Sequence, residues 1–398
     1  MDEPLAAGQT QVASQPKGRT TAAYYLAFVI LGMILAVLGP TLPYLARQTS
    51  SQLSQASFLF TARALGGFMG ALLSGRLYDR GAGHLLLIVT LLTFFVSFVL
   101  LPFIPLLWLL SLLLFITGVA EGGLDVGINT LLVWIHGRGV GPFMNGLHFF
   151  FGLGAFLSPI VIAQVLAYNG EVRWGFWILA FLVLPALFWI WRLPSPPAPE
   201  KKKESSAPQS ANAVIVLLMA VLLALYVGAE IGFGGWIFSY AVALDLASET
   251  TAAYLTSLFW GAFTGGRLLA IPIAVWLSPR TILFGDLLIA GSGVALILFG
   301  HNSQPAAWIG TALAGAGMAS VFPTVLTLAE RRVPITGKVT SAFFVGGSIG
   351  AMTLPWLMGQ LFSAISPTAT MLAILVDLFI ALLTLGLLLR LAPGGESG

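Results

Sequence analysis

The chain has 398 residues, of which 58% are hydrophobic and only 8% charged, against about a quarter charged in an average soluble domain. A water-soluble core cannot absorb that much apolar surface, so lipid must be the solvent for most of the chain. The net charge of +3 is too small and too scattered for a nucleic-acid partner. The absence of cysteine excludes disulfides, thiolate metal sites and a cysteine nucleophile.

Residues 1–20 are polar and lack an apolar h-region, so they read as a short cytoplasmic tail rather than a cleaved signal peptide. Beyond them come about twelve runs long and apolar enough to cross a bilayer. They fall near 22–46, 56–78, 84–104, 106–135, 142–168, 174–192, 213–240, 251–277, 281–300, 305–330, 338–362 and 368–391. Strands are excluded, because an open sheet edge in lipid leaves amides unpaired and these runs are too long for barrel strands. One interior stretch, "RLPSPPAPEKKKESSAPQSAN", has the Pro, Ser and charge of a solvated linker. The chain therefore divides into an N-terminal six-helix bundle (21–192), a cytoplasmic linker (193–212), a C-terminal six-helix bundle (213–391) and a tail (392–398). The fold class is all-α membrane protein.

Lys and Arg placement predicts the orientation. With the amino terminus inside, Lys17, Arg19, Arg76, Arg80, Arg138, Arg192, Lys201, Lys202, Lys203, Arg280, Arg331, Arg332, Lys338 and Arg390 lie inside. Only Arg47 and Arg173 lie outside, and Arg63 and Arg267 fall within spans. Both termini are predicted to be cytoplasmic, in a multi-pass protein of the cell (inner or plasma) membrane.

The polar residues within the spans are the candidates for function, because a charge in hydrocarbon is costly. In the fourth span Glu121, Asp125 and Asn129 are spaced i, i+4, i+8 and share one stripe. Gly118 and Gly122 beside them form a small-xxx-small pair for close helix packing. The two carboxylates can bind a coupling ion or accept from solute hydroxyls; the alternative is a structural polar network. In the fifth span Asn145 and His148 share a face, with Gln164 further on. They are candidates to donate to a polar ligand or to pair with Asp125, with His148 alternatively satisfying a backbone carbonyl. The glycine-rich seventh span offers Glu230 as an acceptor. Its Trp236 can stack on a ligand or sit in the interfacial aromatic belt. Arg63 and Arg267 need carboxylates and are expected to pair with these acids. Asp286 is expected near an inner latch, and Asp377 has no partner legible in the sequence.

Other motifs lead nowhere. "GGSIG", Gly346 to Gly350, matches G-x-S-x-G, but inside a span its small residues serve helix packing rather than a nucleophile elbow. The four histidines are scattered, and no H-E-x-x-H or Walker loop is present. No metal or cofactor is expected, and energy must come from an H⁺ or Na⁺ gradient or from downhill flow.

The halves also resemble each other. "GGFMGALLSGRLYDR" in the second span parallels "GGRLLAIPIAVWLSPR" in the eighth, and "GLGAFLSP" parallels "SIGAMTLP". Parallel repeats of six helices suit a transporter whose two bundles rock about a site between them.

The loop "GRLYDRGAGH" resembles the G-x-x-x-D-R-x-G motif of the major facilitator superfamily. Gly75, Asp79 and Arg80 match, Ala82 replaces the second glycine, and His84 stands where a basic residue is usual. "GPTLPYLA", "LDVGINTLLVWIHG", "PFMNGLHFFFGLGAFLSP" and "YVGAEIGFGGWI" resemble the branch of sodium-dependent glucose transporters and fucose permease-like proteins. The resemblance implies two pseudo-symmetric six-helix bundles, a gating loop at Gly75, Asp79 and Arg80, and a hexose or similar small polar solute moved by alternating access. On that reading Asn129, Asn145, His148, Glu230 and Trp236 bind the solute. Glu121 and Asp125 carry ion coupling, with Arg63 and Arg267 as charge partners. Fucose permease-like members also use an acid in the first span. This chain has none there, so coupling rests on the fourth span or the protein is a uniporter. A drug or metabolite exporter is the alternative within the superfamily, since 12% aromatic residues suit an apolar pocket. A lipid-linked sugar enzyme or a non-transporting sensor is the alternative outside it. The expected partners are the solute and membrane lipids, and the expected state is a monomer.

Overall fold

In the computed structural model the described residues are 17–78, 81, 83–197, 212–300, 303–334 and 336–391. Asp79, Arg80 and Ala82 of the expected gating loop, most of the linker, and His301 lie outside them.

Among the described residues twelve helices are long and apolar enough to span a membrane: α1 Lys17–Gln48, α2 Leu53–Tyr78, α3 Gly83–Phe103, α4 Leu107–Gly139, α5 Gly141–Asn169, α6 Arg173–Trp191, α7 Ala213–Ala243, α8 Glu249–Trp276, α9 Pro279–Phe299, α10 Gln304–Glu330, α11 Gly337–Ala364 and α12 Thr368–Leu391. The first helix begins inside the stretch read as a tail. In that stretch the Thr21 hydroxyl donates to Lys17 O at 2.8 Å and lies 2.8 Å from His136 Nε2 near the end of α4.

Lipid-facing stripes are visible at helical spacing. On α3, Leu85, Val89, Leu92, Val96 and Leu100 are exposed, while Leu87, Leu91, Phe94 and Phe98 on the opposite face are buried. Such a helix is stable only where both faces meet an apolar medium.

The same packing recurs six helices apart. Helix α1 packs on α5 as α7 packs on α11, α2 on α4 as α8 on α10, and α3 on α6 as α9 on α12. Small residues make the close approaches. Gly118 and Gly122 lie against Arg63 O and Gly67 O of α2, so a Cβ at either would strike backbone. Gly346 and Gly350, the residues of the false nucleophile motif, lie against Ala220 O and Ala224 O of α7 in the same manner.

The halves meet through α2 with α11, α5 with α8, and α1 with α7. Traced between described residues, the bonds across this seam gather at one end, distal to the start of α1 and the end of α12. Arg47 reaches Glu249 at 3.5 Å. Ser57 donates to Trp356 O at 3.3 Å, Thr61 to Met352 O at 2.7 Å, Gln360 to Ser54 O at 2.8 Å and Gln164 to the Tyr254 hydroxyl at 2.7 Å. Nearer the middle, Ser257 donates to Phe156 O at 2.5 Å, and Thr264 sits against Gly152. Past that point α8 stands clear: Ile271 to Leu277 are exposed on every face, as are Gly141, Pro142 and Phe143 of α5. The bundle is closed distally and parted at the end that bears the termini.

Candidate functional site

In the N-terminal half the glycine contacts bring α2 and α4 close enough for a short ion pair. Arg63 Nε donates to Glu121 Oε1 at 2.7 Å, and its Nη1 donates to Leu35 O of α1 at 2.9 Å. Both side chains are nearly buried, at 10% and 13% exposure. They border a void of about 10 Å³ lined mostly by apolar groups such as Val37, Leu114 and Phe176, room for one water at most. Glu121 is thus compensated inside its own bundle. One helical turn on, Asp125 accepts from Asn129 Nδ2 at 3.1 Å, and the same amide donates to Asp125 O at 2.8 Å. Among the described residues Asp125 has no cationic partner within 4.0 Å. Both residues remain partly accessible.

In the C-terminal half the acid is Glu230 of α7 and the cation is Arg267 of α8. They interact electrostatically without forming a salt bridge, and Tyr226, one turn from Glu230, faces both. Arg267 is held by neutral groups: Nε donates to Ala319 O at 3.1 Å, and the guanidinium carbon lies 4.4 Å from the Phe263 ring centre.

His148 stands near the boundary between the two halves. It stands on α5 edge-on to Phe28 of α1, with ring centres 6.2 Å apart, and it feels the charge of Arg267 across the seam. It is exposed although it lies between helices, which places it on the wall of the opening where α5 and α8 part. Asn145, one turn nearer the termini, is exposed as well.

Trp236 sits elsewhere. It is fully buried at the distal seam, its indole N–H donating to Pro355 O at 2.9 Å, between Phe60 and Phe362. It faces neither the opening nor lipid. Asp286 is tied to α10 by the Ser320 hydroxyl, which donates to Oδ2. Asp377 is buried in α12, and its Oδ2 has no hydrogen-bond donor among the described residues. Of the gating loop, Gly75 lies partly buried in the last turn of α2. His84 is buried, 2.8 Å from the Tyr24 hydroxyl and 3.0 Å from Leu193 O, so it joins α1, α3 and the end of α6.

Two features had no reading in the sequence: the break in α10 at Ala319 and Ser320, and the role of Tyr226 beside Glu230. The break did leave a signal, since Pro323 has no N–H to continue the helix.

A sequence profile of the Major Facilitator Superfamily matches residues 24–352. The chain belongs to that superfamily of membrane transporters, and its described helices are those of a multi-pass membrane protein. Sodium-dependent glucose transporter 1 of Danio rerio is 33% identical over 374 residues, covering 84% of this chain and 63% of that protein. The chain thus spans less than two thirds of that relative. The Homo sapiens protein of the same name is 32% identical, covering 84% and 72%. Major facilitator superfamily domain-containing protein 4A of Xenopus tropicalis is 29% identical, covering 86% of each. Among solved structures, the nucleoside transporter NupG superposes with a TM-score of 0.77 at 11% identity, covering 94% of this chain and 99% of that one. The xylose transporter XylE of E. coli gives 0.71 at 14% identity, covering 92% and 98%. At these identities the two structures establish the shared fold.

Proposed function

We propose that this transporter moves a small neutral polar solute, a sugar, by alternating access, with both termini cytoplasmic and the parted end open to the cytosol. The observation that carries the reading is that His148 of one half, and Arg267 of the other within range of its charge, lie about the level at which α5 and α8 part, with Glu230 beside Arg267. Donors and acceptors contributed by both halves can hold a polyol between them, and closure of one end as the other opens changes their separation. Asn129, bonded to Asp125, and the exposed Asn145 are offered as further donors from the N-terminal half. The relatives named for glucose transport support the solute class. The excess of Lys and Arg at the end bearing the termini supports the orientation.

Coupling is assigned to Asp125. Glu121 already has Arg63, whereas Asp125 is a partly accessible carboxylate with no cation within 4.0 Å among the described residues, suited to take H⁺ or Na⁺. An ion drives transport only if it binds the two states with different affinity. The compensation of Glu121 also favours a second reading, uniport, in which Asp125 serves only to hold Asn129. Uptake of labelled hexose into proteoliposomes, with proton and sodium gradients imposed in turn, separates the two. Under the coupled reading, Asp125→Asn abolishes accumulation against a gradient and leaves downhill flux measurable. Wild-type protein that never concentrates hexose under either gradient supports uniport instead. If neither accumulation nor downhill hexose flux occurs, the sugar reading falls.

A further inference from the structure

Helix α10 consists of two helical pieces, Gln304–Met318 and Val321–Glu330, and the cause of the break is local. Pro323 has no N–H, and its ring crowds the carbonyl four residues earlier, which is that of Ala319. In a membrane such a freed carbonyl must find another donor. It finds Arg267 Nε at 3.1 Å. The approach of α8 at this level is close, since Gly266 lies against Ala319 and Ala316 O. The far side of the break is secured separately: Ser320 donates to Asp286, and Thr324 Oγ1 donates to Ser320 O at 2.6 Å. The guanidinium is therefore anchored through one edge to the backbone and through its face to Phe263, while its charge acts on Glu230, Tyr226 and His148.

We propose that Pro323 is a positioning residue for Arg267. By withholding an N–H from Ala319 it creates the acceptor that aims the guanidinium into the space between the halves. The functional part of this inference rests on the sugar-transport reading above, in which Arg267 donates to the solute; the structural part does not. In Pro323→Ala the new N–H bonds Ala319 O, α10 straightens, and Arg267 loses its anchor.

The test uses the full chain in proteoliposomes. Pro323→Ala is expected to raise the KM for hexose roughly tenfold, as loss of a hydrogen bond involving a charged group allows, with kcat within about twofold. In an Arg267→Ala background the same substitution is expected to add nothing further. An unchanged KM, or an effect that persists undiminished without Arg267, overturns the proposal. If wild-type protein carries no hexose, the sugar reading has failed and the positioning is read chemically. Phenylglyoxal modification of Arg267, followed by peptide mass spectrometry, is expected to be faster in Pro323→Ala than in wild type; equal rates overturn it. Should Pro323→Ala fail to fold, Pro323→Gly restores the same N–H and is read by the same criteria.

Discussion

Arg63 in α2 and Arg267 in α8 occupy corresponding helices of the two halves, yet they are held by different chemistry. Arg63 is consumed within its bundle, with Glu121 at 2.7 Å and a backbone carbonyl of α1 at 2.9 Å. Arg267 is held by a carbonyl and an aromatic face, both neutral, so its charge still acts on Glu230 and His148. A satisfied pair fastens α2 to α4 and makes that pair of helices move as one body. A cation anchored by neutral groups keeps its field for whatever enters between the halves. The pseudo-symmetry of the fold therefore does not extend to its charges, and the asymmetry divides structural from functional labour.

The largest effect expected from this contrast is on stability. Arg63→Ala leaves Glu121 buried without its cation and is expected to cost about 3–5 kcal/mol, seen as a large fall in the thermal midpoint in detergent. The double variant Arg63→Met/Glu121→Met is expected to recover most of that loss. A double variant no better than the single one would show that the ion pair is not what joins α2 and α4. Next, Gly122→Val drives a side chain into Gly67 O and is expected to cost about 1–3 kcal/mol; the same substitution at Gly75, where a Cβ meets nothing within 4 Å, should leave the midpoint unchanged. The smallest expected loss is for Arg267→Ala, about 1 kcal/mol for a cation–π contact and a single carbonyl bond, with hexose transport falling far more than stability. If Arg267→Ala unfolds the protein as Arg63→Ala does, the two arginines are alike and the contrast is void.

The fold was legible because hydropathy and spacing act along the chain. Twelve apolar runs, the linker composition and the internal likenesses around Gly66 and Gly265 needed no tertiary knowledge. The ends were less legible: α1 begins at Lys17, and no local pattern encodes the Thr21 contact with His136 there. The pairing of Arg63 with Glu121 spans 58 positions and depends on how α2 meets α4. The Gly118 and Gly122 pair announced close packing there without naming the partner. Trp236 shows the limit of a rule about position. An aromatic near the end of a span suggested the interfacial belt or a sugar platform, whereas its indole N–H found the carbonyl of Pro355 inside the seam. The α10 break was written in Pro323, but which donor takes up Ala319 O depends on a neighbouring helix.

Three of the bonds across the seam share one property. Ser57, Thr61 and Ser257 each donate across the halves to a main-chain oxygen within a helix. Such an oxygen retains its own helical partner when the visitor leaves, and a serine or threonine can rotate to a carbonyl of its own preceding turn. Parting these three bonds therefore strands no polar atom in oil. Each is a fastening that either side can remake within itself, which permits repeated opening there without a toll in unsatisfied groups.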